Sequence, residues 1–126
     1  MIDWMIATMA LGMVLGHFVL GVPLFYRPLQ KSSLEIYVKS TFTCAFHFLS
    51  LFLGLKAIIF IAAAMGKLQL GEDLYTFLMA QNFFFAVVIA FTLWKSQVRP
   101  YFVKVYPAYS YLLMTVLIFL QTNKSI

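Results

Sequence analysis

Four apolar runs of bilayer-spanning length occupy most of this chain, and they constrain its fold more than any other feature. The first, Trp4 to Tyr26, and the third, Leu74 to Trp94, contain no Asp, Glu, Lys or Arg. The second, Leu34 to Met65, carries Glu35, Lys39 and Lys56, and the fourth, Tyr101 to Leu120, carries Lys104. Crossing a hydrocarbon core takes about 20 mostly apolar residues in a helix, because only a helix satisfies the backbone within one segment. In a chain of 126 residues that is 63% hydrophobic and 10% charged, a water-soluble core could not hide this much apolar surface. The expected fold is therefore all-α: an integral membrane, four-transmembrane-helix bundle over residues 4–26, 34–65, 74–94 and 101–120, one domain spanning 1–126. The first run has neither the basic start nor the small-residue cleavage site of a signal peptide, so it reads as a retained helix.

Short gaps separate the runs. Residues 27–33 join the first pair, with Ser33 a candidate N-cap. Gly66 to Asp73 join the second pair, with Gly66 a natural helix stop, and Lys95 to Pro100 join the third. Gaps this short favour antiparallel neighbours and an up-down-up-down order. Pro107 predicts a kink or restart in the fourth helix. Arg27-Pro28 after the first run is echoed by Arg99-Pro100 after the third, which chance explains more simply than a parallel repeat.

Basic residues set an expected orientation. Arg27, Lys31, Lys39, Lys95, Arg99 and Lys104 lie on one side, against Lys67 and Lys124 on the other, where Asp3, Glu72 and Asp73 also lie. By the positive-inside rule both termini are outside and the basic loops are cytoplasmic, in a bacterial inner membrane or its equivalent. Most interfacial aromatics, Tyr26, Tyr37, Trp94, Tyr101, Tyr106 and Tyr109, share the basic side, with Trp4 and Tyr75 opposite. The scattered positive charge is no nucleic-acid footprint, and the single Cys44 allows no internal disulfide.

Polar residues inside the spans carry the functional expectations. In the second run Ser40, Thr43, Cys44, His47, Ser50 and Gly54 recur at helical spacing, a polar stripe expected to face the bundle. In the first, Gly12 and Gly16 form a G-x-x-x-G pair suited to close helix approach. His17 lies nine residues from Tyr26, about 13 Å in helical rise, and His47 eight from Lys39, about 12 Å. Matching depth on adjacent helices would suit axial ligation of a b-type haem, but structural hydrogen bonding to Ser40, Thr43 or Ser50 ranks above it. A quinone, another cofactor or a metal ranks below haem. Lys56, nine residues from His47, falls on the opposite and bulkier face. It wants either a partner subunit or a tilted helix that lets it reach the headgroups. In the third run Asn82, Ala86 and Ala90 form a small-residue packing stripe with one polar member, and Gln81 adds a second mid-span amide.

The chain has no Gly-rich phosphate loop, nucleophile elbow, paired carboxylates or Cys-x-x-Cys, and its four acidic residues all sit near helix ends. The leading expectation is an accessory or assembly subunit of a larger membrane complex, with no catalytic activity of its own. Its partners would be the lipid bilayer and either other membrane subunits or further copies of itself. A haem-binding redox protein with His17 and His47 as ligands ranks second. A small dimeric transporter or channel using the Ser40–His47–Ser50 stripe ranks third.

Overall fold

The computed structural model describes residues 1–95 and 102–123. Among these there is helix and no strand: α1 (Ile2–Gly21), a π-helical turn (Val22–Tyr26), α2 (Arg27–Lys31), α3 (Ile36–Ala64), α4 (Glu72–Lys95) and α5 (Phe102–Thr122). Three helical stretches are long and apolar enough to cross a membrane: Ile2–Lys31, Ile36–Ala64 and Glu72–Thr92. A shorter apolar stretch, Pro107–Thr122, lies within α5. Arg99-Pro100, Tyr101 and Lys124 lie outside the described residues, as do the side chains of Lys95, Lys104 and Tyr106.

The first helix does not stop at Tyr26. It continues unbroken to Lys31, so only Ser32–Glu35 connects it to α3. Pro23 and Pro28 would ordinarily break an α-helix, since each lacks an N–H and its ring crowds the preceding turn. A π turn between them relieves the crowding: the Arg27 N–H reaches back five residues to the Val22 carbonyl. Ser33 is not the N-cap of α3. Glu35 holds that place, its carbonyl accepting from Lys39 N–H at 3.0 Å, while the Ser32 hydroxyl closes the preceding helix on Leu29 O at 2.6 Å.

At the other end of α3 the stop is a Schellman motif. Gly66 N–H bonds Ala63 O and Lys67 N–H bonds Ala62 O, both at 2.9 Å, with Gly66 at φ 70°. A left-handed φ is costly for any residue with a Cβ, which is why glycine ends the helix here. Glu72 and Asp73 then occupy the first turn of α4, where negative charge favours the helix N-terminus. Helix α5 runs through Pro107 as one element rather than restarting there.

Packing pairs α1 with α3, α1 with α5 and α4 with α5. The contacts Gln30–Thr43, Gly21–Phe46 and His17–Ser50 run in opposite order along the first and third helices, so these two are antiparallel. Each helix buries one stripe at three- and four-residue steps: Ile6, Ala7, Ala10 and Met13 on α1; Leu53, Ala57 and Phe60 on α3; Leu78, Asn82 and Ala86 on α4; Tyr111, Met114, Leu117 and Ile118 on α5. Their opposite faces are large and apolar, as at Leu15, Phe48, Leu51, Phe84 and Phe119. In water that surface would be an aggregation hazard; against lipid it is the expected finish.

Candidate functional site: a polar bridge and an apolar cavity inside the bundle

Consecutive in sequence, α3 and α4 are nonetheless not close backbone neighbours; long side chains join them. The principal link is Lys56 to Asn82. Lys56 is 3% exposed and Asn82 fully buried, and the Lys56 Nζ donates to Asn82 Oδ1 at 2.7 Å. Asn82 Nδ2 in turn donates to the Leu78 carbonyl at 2.6 Å. This fixes the amide's orientation, since a flip would set its NH2 against the ammonium and its oxygen against a carbonyl. The Nζ also lies 5.2 Å from the centre of the Phe52 ring and 5.6 Å from that of Tyr111. Lys56 thus faces the chain's own core, not the outward side expected from the sequence. Its acceptor is a neutral amide and its remaining surroundings are aromatic faces, which favour a cation.

The rotation of α3 that brings Lys56 inward carries the polar stripe outward. Ser40, Cys44 and His47 are exposed, and Thr43, Ser50 and Gly54 are half-buried at the margin. Phe46, Leu53 and Phe60 fill the inward face instead. Bulk, not smallness, faces inward here: Phe46 packs on His17, Gly21 and Phe25 of the first helix and its extension, while Phe52 and Lys56 bridge to α4. On α4 the stripe is shorter than expected: Asn82 and Ala86 are buried and Ala90 is exposed. Gly12 is not a close contact: among the described residues a Cβ there would have no heavy atom within 4 Å, and Gly16 lines a cavity described below. Close approach falls one turn later, at Gly21, where a Cβ would stand 3.1 Å from the Phe46 ring.

The two histidines part company. The His17 ring stacks on Phe46 at 4.4 Å between centroids, and its Nε2 lies 2.9 Å from Ser50 Oγ. The Ser50 hydroxyl donates to Phe46 O, also at 2.9 Å. A hydroxyl has one proton to give, so His17 is the donor to Ser50 through Nε2 and keeps Nδ1 as an acceptor. His47 points outward and meets Tyr26 and Phe46 edge-on at 5.6 and 5.8 Å, with neither ring nitrogen hydrogen-bonded among the described residues. The expected pairing as axial haem ligands does not fit this arrangement: one imidazole is committed to Ser50 and the other faces away. Among the described residues no group of three or more His, Cys, Asp or Glu could hold a metal.

Where α3 and α4 stand apart, a cavity of about 550 Å³ opens between all four long helices. Its walls include Leu20 and Leu24 from α1 and its extension, Leu49 and Leu53 from α3, Phe85 and Ile89 from α4, and Pro107 from α5. Its polar contributions come from His17, Ser110 and Tyr111. A second cavity of about 300 Å³ shares His17, Gly21, Phe25 and Leu49 with the first. No reading of the sequence found this space, because it arises from helix spacing and not from any residue pattern. His17 at its edge was visible in the sequence, and its bond to Ser50 is one of the hydroxyl partnerships ranked above haem ligation there.

Comparisons with protein-family models, with curated proteins and with solved structures find no match to this chain.

Proposed function

We propose that this chain is a four-span membrane protein acting as a non-catalytic subunit of a larger membrane assembly, its basic loops cytoplasmic and both termini outside. The carrying observation is the outward polar face of α3. Among the described residues neither ring nitrogen of His47 has a hydrogen bond, and Ser40 and Cys44 lie exposed on the same side. At about 12 Å of helical rise beyond Lys39, an imidazole facing lipid has nothing to bond, whereas a neighbouring helix offers carbonyls and hydroxyls. The connections Ser32–Glu35 and Met65–Gly71 leave no room for a catalytic head on those loops. Lys56 is no part of this reading, since its partner is internal.

Native mass spectrometry of the protein drawn gently from its own membranes tests the proposal. Co-purifying polypeptides, or a second copy, that dissociate in His47→Leu support it. A lone monomer identical in wild type and variant overturns it.

A further inference from the structure

The geometry points to the four-helix cavity as a binding site for a neutral long-chain lipid that carries a hydroxyl group. This does not depend on the chain having a partner subunit, because the site is built wholly from its own helices.

Three features define the ligand. Volume comes first: about 550 Å³ lies in the range of small-molecule sites, and the walls are almost entirely aliphatic and aromatic. Charge comes second. Among the described residues no Asp, Glu, Lys or Arg lines either cavity, so a carboxylate, phosphate or ammonium head would be desolvated against those walls without compensation. The third is the polarity of the anchor. His17 spends its Nε2 proton on Ser50, whose own proton goes to Phe46 O, so Nδ1 can only accept. A ligand that bonds there must therefore be a donor, and an O–H is the neutral group that provides one.

Gly21 leaves that acceptor approachable. A Cβ at this position would stand 3.7 Å from His17 Nδ1 and 3.1 Å from the Phe46 ring, in the stretch shared by both cavities. Tyr111 lines the same cavity, and among the described residues its side chain makes ring and cation contacts with Phe85 and Lys56 while its phenol makes no hydrogen bond. Its phenol supplies a donor that the ligand oxygen can accept. His17 and Tyr111 give the lining one acceptor and one donor for a hydroxyl, with the chain filling the apolar length.

Photolabelling in membranes containing the full chain tests this, with a diazirine-bearing long-chain alcohol as probe. The competitors are a prenyl alcohol, a prenylated hydroquinone, the matched carboxylic acid and the matched hydrocarbon. Labels are expected on Leu20, Leu49 and Ile89, with either hydroxylated competitor displacing the probe about tenfold better than acid or hydrocarbon, the worth of one good hydrogen bond. Which hydroxyl compound wins tells an aliphatic from a phenolic head. His17→Phe keeps the ring stacked on Phe46, and it should erase the hydroxyl preference while labelling of the same residues persists. Should that variant fail to fold, Tyr111→Phe reports the same preference. Equal displacement by alcohol and hydrocarbon, or labels confined to outward residues such as Phe48 and Leu51, would overturn the inference. Labelling unchanged in protein shown to be monomeric would leave this site standing while removing the subunit reading.

Discussion

Lys56 and His47 stand nine residues apart on α3, on opposite faces, and they show two solutions to one problem. Both are ionisable groups well inside an apolar helix. Lys56 is solved internally: Asn82 accepts its proton, Leu78 O orients Asn82, and Phe52 and Tyr111 supply negative ring faces. His47 has no hydrogen-bond partner among the described residues, where it meets the rings of Tyr26 and Phe46. The residue that costs most to bury is therefore the better satisfied one. A group whose partner is internal reports on folding, and a group left open reports on association.

The sharpest way to break this contrast is Asn82→Leu. Removing the acceptor leaves the Lys56 ammonium sealed among rings without that partner, which costs about 3 kcal/mol, the upper end for an unsatisfied buried donor because this one is charged. Reversible unfolding in bicelles should show that loss. Adding Lys56→Met to the same protein should return most of it, since replacing both partners by apolar groups is nearly neutral. A single Asn82→Leu variant as stable as wild type would mean that Lys56 finds water instead.

Next in size is a pair of substitutions that sets the inner side of α4 against its outer side. Ala86 is 7% exposed and Ala90 lies on the surface one turn on. Overpacking a filled interior costs about 1–3 kcal/mol, so Ala86→Leu should lower stability by about 2 kcal/mol. Ala90→Leu should stay within about 0.5 kcal/mol, as exposed changes do. Similar losses at both sites would show that Ala90 is covered, and would move the partner surface onto α4.

Much of this was written in the residues. Lengths and stops were legible because bilayer thickness and left-handed glycine conformations act locally, as at Gly66. Asn82 and Ala86 were legible as a buried pair because they sit one turn apart. The rotation of α3 was not. The small residue at the α1–α3 contact is on the other helix, at Gly21, and the large Phe46 of α3 packs onto it, so the inward face of α3 carries Phe46, Leu53 and Phe60 instead of its small and polar stripe. That inversion exposed His47 and buried Lys56 together. The end of the first helix differed too: the sequence places it at Tyr26, before Arg27-Pro28, while a π turn carries the helix through Pro28 to Lys31.

His47→Leu probes the open half of the comparison. Within the isolated chain it removes only ring contacts, so unfolding should hardly change. Association should weaken by about 1–2 kcal/mol, the upper range for an interhelical hydrogen bond in a membrane, read as a roughly five- to thirtyfold change in dissociation constant. An unfolding loss with no change in association would reverse the assignment of His47 to a partner.

The smallest expected effect separates His17 from both of the others. Ser50→Ala removes the hydroxyl that both receives the His17 Nε2 proton and bonds back to Phe46 O. Polar contacts between membrane helices average about 0.6 kcal/mol, so stability should fall by roughly that amount. Larger consequences should appear in tautomer and ligand preference. Without Ser50 to hold the proton on Nε2, the ring is free to place it on Nδ1, beside Gly21 and the cavity. The anchor would then donate rather than accept. Nitrogen-15 spectra of labelled histidine should show Nε2 protonation in the wild type and a mixture in Ser50→Ala. The photolabelling preference should move from hydroxyl towards carbonyl-bearing competitors in parallel. A variant with an unchanged tautomer would mean that Phe46 O alone, the carbonyl Ser50 now occupies, holds the imidazole proton once the hydroxyl is gone.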